Sequence, residues 1–120
     1  MKIVVTSKGK TLESQVDPRF GRAANFVLID TDTGAFEGHD NAQNLNAAQG
    51  AGIQAAETVS RLGAEAVITG HCGPKAFRTL RAAGVHVVVA AQGTVAQAVE
   101  AFQTGKLKPA ESADVEGHWA

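Results

Sequence analysis

From Gly50 onward the sequence alternates between two hydrophobic periods, and few folds accept that alternation. Ile53, Ala56, Val59 and Leu62 recur every three residues with Ala55 beside them, the stripe of a helix with one apolar face. Gly63 then falls where a helix C-cap glycine belongs. Residues 66–69 read as a short strand. Gly73-Pro74 opens a second helix, with proline at a first-turn position where its missing N–H does no harm. Phe77 and Leu80 face inward, and Gly84 closes the helix. Residues 85–90 form a further apolar run. Thr94-x-x-Gln97 has the spacing of a capping box, Val95, Ala98, Val99 and Phe102 make the next stripe, and Gly105 ends it. A strand, a helix and a strand in one sheet imply parallel neighbours joined by right-handed crossovers.

The first forty residues follow a different rule. Residues 2–6 are a nearly continuous apolar run, the pattern of a strand covered on both faces. A polar stretch over 7–22 contains the turn-forming group Asp17-Pro18-Arg19-Phe20-Gly21. Residues 26–31 are a second strand. Asp32-Thr33-Gly34 reads as a tight hairpin turn into a third strand over about 35–39. Residues 39–49, rich in Asn, Asp and Gln, are expected to be a loop. The order is β-β-β-α-β-α-β-α, with the first three strands antiparallel. This predicts an α/β fold with a mixed five-stranded sheet and helices on its faces.

At 120 residues the chain is one domain's worth. A single domain over 1–107 is expected, with 108–120 as a flexible C-terminal tail, because proline, glycine and charges crowd that end. A hydrophobic share of 44% is enough for a core without disulfides. Cys72, the one cysteine, could not form one within the chain. A lone thiol suits a reducing compartment, so a cytoplasmic location is expected. The longest apolar run, 85–91, is too short to span a bilayer, and the N-terminus reads as a strand, not a signal peptide; no membrane partner is expected. Eleven basic residues against twelve acidic give a net charge of -1. That balance, with five Phe, one Trp and no Tyr, argues against a nucleic-acid partner.

If the first, fourth and fifth strands are parallel, their carboxyl ends share one sheet edge, with the loops 7–22, 70–74 and 90–94. Counting strand reversals brings 39–49 to the same edge, and all three helix N-termini point there. Ligands of open α/β sheets bind at such an edge, and helix N-termini attract anions. The mouth would hold Arg19, Arg22, His39, His71, Cys72 and Lys75. In His71-Cys72-Gly73-Pro74, thiolate and imidazole suit copper or zinc, and a helix N-terminus favours the thiolate. Two neighbours rarely chelate an ion alone, so His39 or an exogenous sulfide would have to help. The other reading is a turn with Cys72 packed as a small hydrophobe and His71 solvated. Arg19, Arg22 and Lys75 either hold an anion or are ordinary solvated charges. Lys75, Arg78 and Arg81, at three-residue spacing, read as a solvated helix face. The G-x-G-x-x-A pattern of residues 50–55 lacks the preceding strand and following acid of a dinucleotide site. His86 lies inside a strand, and His118 and Trp119 end the chain. No catalytic set is visible: the first strand offers no carboxylate to this edge, and Asp30 and Asp32 fall at the opposite one.

Four segments together resemble the dinitrogenase iron–molybdenum cofactor biosynthesis family. They are Val16-Asp17-Pro18-Arg19-Phe20-Gly21-Arg22-Ala23, Gly50-Ala51-Gly52-Ile53-Gln54-Ala55-Ala56, Ile68-Thr69-Gly70-His71-Cys72-Gly73-Pro74-Lys75-Ala76-Phe77 and Gly93-Thr94-Val95-Ala96-Gln97-Ala98. The resemblance implies a three-layer ribonuclease H-like fold without nuclease activity, and a role in binding, carrying or inserting metal–sulfur clusters and their precursors. The chain looks most like small free-standing members, one associated with a non-covalently held molybdenum–copper sulfide cluster. An iron–molybdenum or iron–sulfur cluster precursor is the alternative cargo. Such a cluster already carries its sulfides, so N–H donors, basic side chains and an apolar wall suffice. The binding residues so implied are Arg19, Arg22, His39, Gly70, His71, Cys72, Gly73 and Lys75, with Cys72 and His71 as candidate metal ligands. Many members carry other residues at His71-Cys72. The expected partners are the cluster and a recipient or regulatory protein. A regulatory interaction module without a cluster is the alternative function.

Overall fold

The computed structural model describes residues 1–43 and 50–113. The elements are β1 (Lys2–Ser7), β2 (Asn25–Asp30), β3 (Phe36–Asp40), α1 (Ala51–Arg61), β4 (Ala66–Ile68), α2 (Pro74–Ala82), β5 (His86–Val88) and α3 (Val95–Gln103). They form one sheet in the order β3-β2-β1-β4-β5. β1 pairs antiparallel with β2 and parallel with β4; β2–β3 is antiparallel and β4–β5 parallel. The turn at Asp32-Thr33-Gly34 closes the β2–β3 hairpin, with Gly34 at φ 79, a conformation glycine adopts without penalty.

Alternation along the strands divides the core in two. Val4, Phe26, Val67 and Val87 face one way and meet Ala55, Ala56 and Val59 of α1 and Ala76, Phe77 and Leu80 of α2. Ile3, Val5, Val27, Ile29, Ile68 and Val88 face the other way and meet Val95, Ala98 and Val99 of α3. The result is the expected three-layer ribonuclease H-like arrangement. Each fully buried Val, Leu, Ile or Phe contributes about 1.5–3 kcal/mol, so the central strands β1 and β4, covered on both faces, anchor the sheet.

Two boundaries differ from expectation. β5 stops at Val88, because Ala90 takes a left-handed φ of 67 that turns the chain out of the ladder. The amides of Ala90 and Ala91 then donate to the carbonyls of Gly70 and Thr69 at 2.8 and 3.1 Å, joining the two loops. The stretch 108–120, expected to be loose, is held in its first part. Pro109 bridges Val88, the Ala110 amide donates to the Val87 carbonyl at 2.7 Å, and Ala110 and Ala113 pack against the α1–α2 core. A proline that donates nothing is well placed on a sheet edge. Residues 114–120, with His118 and Trp119, and residues 44–49 of the expected loop lie outside the described residues. Among the described residues no helix is long and apolar enough to cross a membrane.

Candidate functional site

The carboxyl edge of the sheet is built by the long segment between β1 and β2. Its first part turns back on β1: Ser7 bridges Val16, and the Val16 amide donates to the Gly93 carbonyl at 2.9 Å. Here the segment closes the N-terminus of α3. Val95 and Ala96 donate to the Ser14 and Leu12 carbonyls at 2.9 and 3.0 Å, and the Thr94–Gln97 capping box takes up two more amides. Of the three helix N-termini expected at the mouth, this one has no N–H to offer a ligand. The α3 side of the sheet also holds a cavity of about 210 Å³ lined by Leu12, Ile29, Val99 and Gln103 among others, with no cationic side chain.

The second part crosses to β4. Asp17, only 5% exposed, organises the turn: its carboxylate oxygens accept from the Arg19 and Ala24 amides, each at 3.2 Å. Beneath it the Thr6 hydroxyl donates to the Asp17 carbonyl at 2.7 Å and lies 2.8 Å from Thr69 Oγ1. One proton serves one acceptor, so the Thr6–Thr69 contact has Thr69 as donor. The His71 amide donates to the Pro18 carbonyl at 2.8 Å and the Phe20 amide to the His71 carbonyl at 3.2 Å, setting Arg19 beside His71. From below, the Asn41 side-chain amide donates to the Gly21 and Ala23 carbonyls, and that of Gln43 to Gly21 and Ala51. The loop bearing Arg19 and Arg22 is thereby tied to β4, to the end of β3 and to α1, while both arginines stay exposed.

On this side no side-chain cap is seen among the described residues. Gly50 and Gly73 are the N-caps of α1 and α2; neither has a side chain to cap with, and no acidic residue occupies either first turn. Uncapped first-turn amides and the aligned peptide dipoles together favour an anion. Lys75, exposed in the first turn of α2, adds a cation.

The structure thus brings together Arg19, Gly70, His71, Gly73 and Lys75, with Arg22 on the same tied loop. It does not bring in His39. That residue stands in β3, separated from β4 by β2 and β1, a span of about 14 Å at ordinary strand spacing. Its Nε2 lies 3.0 Å from Glu37 Oε2. Nor does Cys72 face the mouth: it is 0% exposed, packed in the core with Phe20, Ala76 and Phe77, its thiol directed at the Gly73 carbonyl at 3.7 Å. Among the described residues no three His, Cys, Asp or Glu side chains converge as a metal site. Sequence reasoning missed Asp17, Thr6, Thr69, Asn41 and Gln43, whose hydrogen bonds shape the edge. Only the Asp-Pro pair at 17–18 carries a local signal, that of a side-chain-stabilised turn.

The chain belongs to the dinitrogenase iron–molybdenum cofactor family, which it matches over residues 1–105. Among solved structures it is similar to the apo form of the orange protein from Desulfovibrio gigas. The two are 43% identical, the match covers 95% of this chain and 96% of that one, and the TM-score is 0.90. A putative NifB protein from Thermotoga is 35% identical over 97% of this chain and 98% of its own, with a TM-score of 0.80. An uncharacterized protein of Methanocaldococcus jannaschii is 26% identical over 100 residues, 82% of this chain and 85% of that one.

Proposed function

We propose that this protein is a cytoplasmic carrier, not an enzyme, for an anionic metal–sulfide cluster. The cluster sits without covalent attachment at the sheet edge, between the N-termini of α1 and α2. The observation that carries this reading is the asymmetry of that edge. The α3 N-terminus is closed by backbone and capping side chains, while α1 and α2, on the other face, begin at bare glycines next to a tied loop bearing Arg19 and Arg22.

The donor set suits a cargo that brings its own sulfur. Cys72 is committed to the core, so a bare soft ion would find no thiolate at the surface. A thiomolybdate-based cluster needs only N–H donors and cations around its sulfides. Amides of the α2 turn at Gly73 and of the α1 first turn, the Arg19 and Arg22 guanidinium groups, His71 and Lys75 supply them. The cargo we favour is a molybdenum–copper sulfide cluster, in keeping with the family and with the similarity to the apo orange protein. An iron–molybdenum or iron–sulfur precursor has the same charge requirement. A carrier implies a recipient protein that takes the cluster over.

The test is to titrate the protein with copper and tetrathiomolybdate, desalt it and measure the metals. Copper and molybdenum eluting with the protein in a fixed ratio, with a visible charge-transfer band, is the expected result. Colourless, metal-free protein would overturn the molybdenum–copper reading and leave the iron-based precursor or the regulatory interaction module in its place.

A further inference from the structure

β3 is an outer strand of the sheet, and its hydrogen-bonding parity can be worked out. The Asp30 amide donates to the Ala35 carbonyl and the Asn41 amide to the Ala24 carbonyl, both in the register that pairs Leu28 with Glu37. In an antiparallel ladder hydrogen-bonded pairs alternate along the strand. Residues 35, 37, 39 and 41 therefore turn their backbone groups toward β2. Phe36, Gly38 and Asp40 turn theirs outward, away from the sheet. Side chains alternate in the same way: Glu37 and His39 share one face, while Phe36, Gly38 and Asp40 share the other. Phe36 is 43% exposed, one of two large apolar residues so placed among those described.

We propose that the outer edge of β3 pairs antiparallel with β3 of a second copy of this chain, about a two-fold axis at Gly38. Any register centred on a single residue of the strand sets outward-facing residues against each other, and the one centred on Gly38 alone pairs the strand along its full length. Gly38 then faces Gly38 of the second copy, and Phe36 faces Asp40, giving about six backbone hydrogen bonds across the junction. The same register sets Glu37 opposite His39 twice, at the non-hydrogen-bonded positions where facing side chains come closest. Paired with its own reverse, the strand Phe36-Glu37-Gly38-His39-Asp40 thus sets carboxylate against imidazole on both sides of the axis. No like charges oppose one another, whereas an axis on Glu37 or Asp40 would set that carboxylate against its own copy and an axis on Phe36 would leave the Glu37–His39 match unmade. On the other face, the Lys10 stem lies over Gly38 and its Nζ is 3.0 Å from Asp40 Oδ1. Pairing carries the exposed Phe36 ring alongside the corresponding Lys10 of the second copy, giving it an aliphatic cover.

The experiment uses the whole chain, without cluster, by sedimentation and by amide exchange in nuclear magnetic resonance. Between about 10 µM and about 1 mM the mass should rise from monomer toward dimer, and the Phe36, Gly38 and Asp40 amides should exchange about threefold or more slowly at the higher concentration. Glu37→Lys should weaken association about fivefold or more, and the swap Glu37→Lys/His39→Glu should restore it, since each facing pair again sets an acid against a base. A chain that stays monomeric at the higher concentration overturns the proposal. So does a dimer in which those three amides exchange at the monomer's rate, or one whose Glu37→Lys loss the swap leaves unrepaired.

Discussion

A Cβ built on Gly70 would stand 2.7 Å from both the Cα and the carbonyl oxygen of Pro18. The approach is backbone against backbone, so no side chain can swing aside. Gly70→Ala should cost about 1–3 kcal/mol in urea unfolding and, by lifting the 17–20 turn away from His71, lower cluster loading as well. Cys72 makes the contrasting case. Cys72→Ala should cost about 1 kcal/mol, as an ordinary loss of buried volume, and leave the metal ratio after loading unchanged. Folded Cys72→Ala protein that no longer retained metal would make the thiol a ligand after all. Sequence reasoning could pose the two roles of Cys72 but not choose between them. Cys72 shares its core cluster with Phe20, about fifty residues upstream, a neighbourhood with no local trace. Gly70 is similar: a glycine at a strand end is common, and only the crossing of Pro18 makes it necessary.

At the level of elements, the three helices look alike in sequence at their apolar faces and differ at their first turns. The Thr94–Gln97 capping box was legible, and so was Gly73-Pro74 as a helix start. That Leu12 and Ser14 would occupy the remaining α3 amides was not, because those carbonyls come from the opposite end of the chain. This contrast supports a prediction with two readouts of opposite sign. Gly50 sits at φ -75 and ψ 172, and a Cβ there would meet nothing within 4 Å among the described residues, so an aspartate fits. Gly50→Asp should stabilise the fold by about a few tenths of a kcal/mol through capping, while its carboxylate competes with the cluster and lowers retention. Unfolding midpoints and metal analysis on the same variant check both. Strand limits were read to within a residue or two. The misjudged end of β5 follows from Ala90, whose left-handed turn no propensity would assign to alanine.

Across the whole molecule, a net charge of -1 conceals an uneven distribution. Arg19, Arg22 and Lys75 gather near the open helix ends, while Asp17, the acid beside them in the loop, is buried and engaged with backbone amides. Arg19→Ala/Arg22→Ala should therefore reduce cluster retention more at low salt than at high salt, measured by metal content after desalting. Equal retention at all salt concentrations would remove both arginines from the site. The topology behind this arrangement was legible because connection rules leave few choices once strand and helix periods are placed. The fate of the C-terminal segment was not, since Pro109 and Ala110 bind through backbone groups that any sequence possesses. Their position has a further consequence. Among the described residues, Pro109 and Ala110 lie along β5 while β3 carries no further strand. Edge-to-edge growth needs two open margins per subunit to propagate. With β5 so covered, pairing through β3 as proposed would close at two copies and leave no margin for fibre growth.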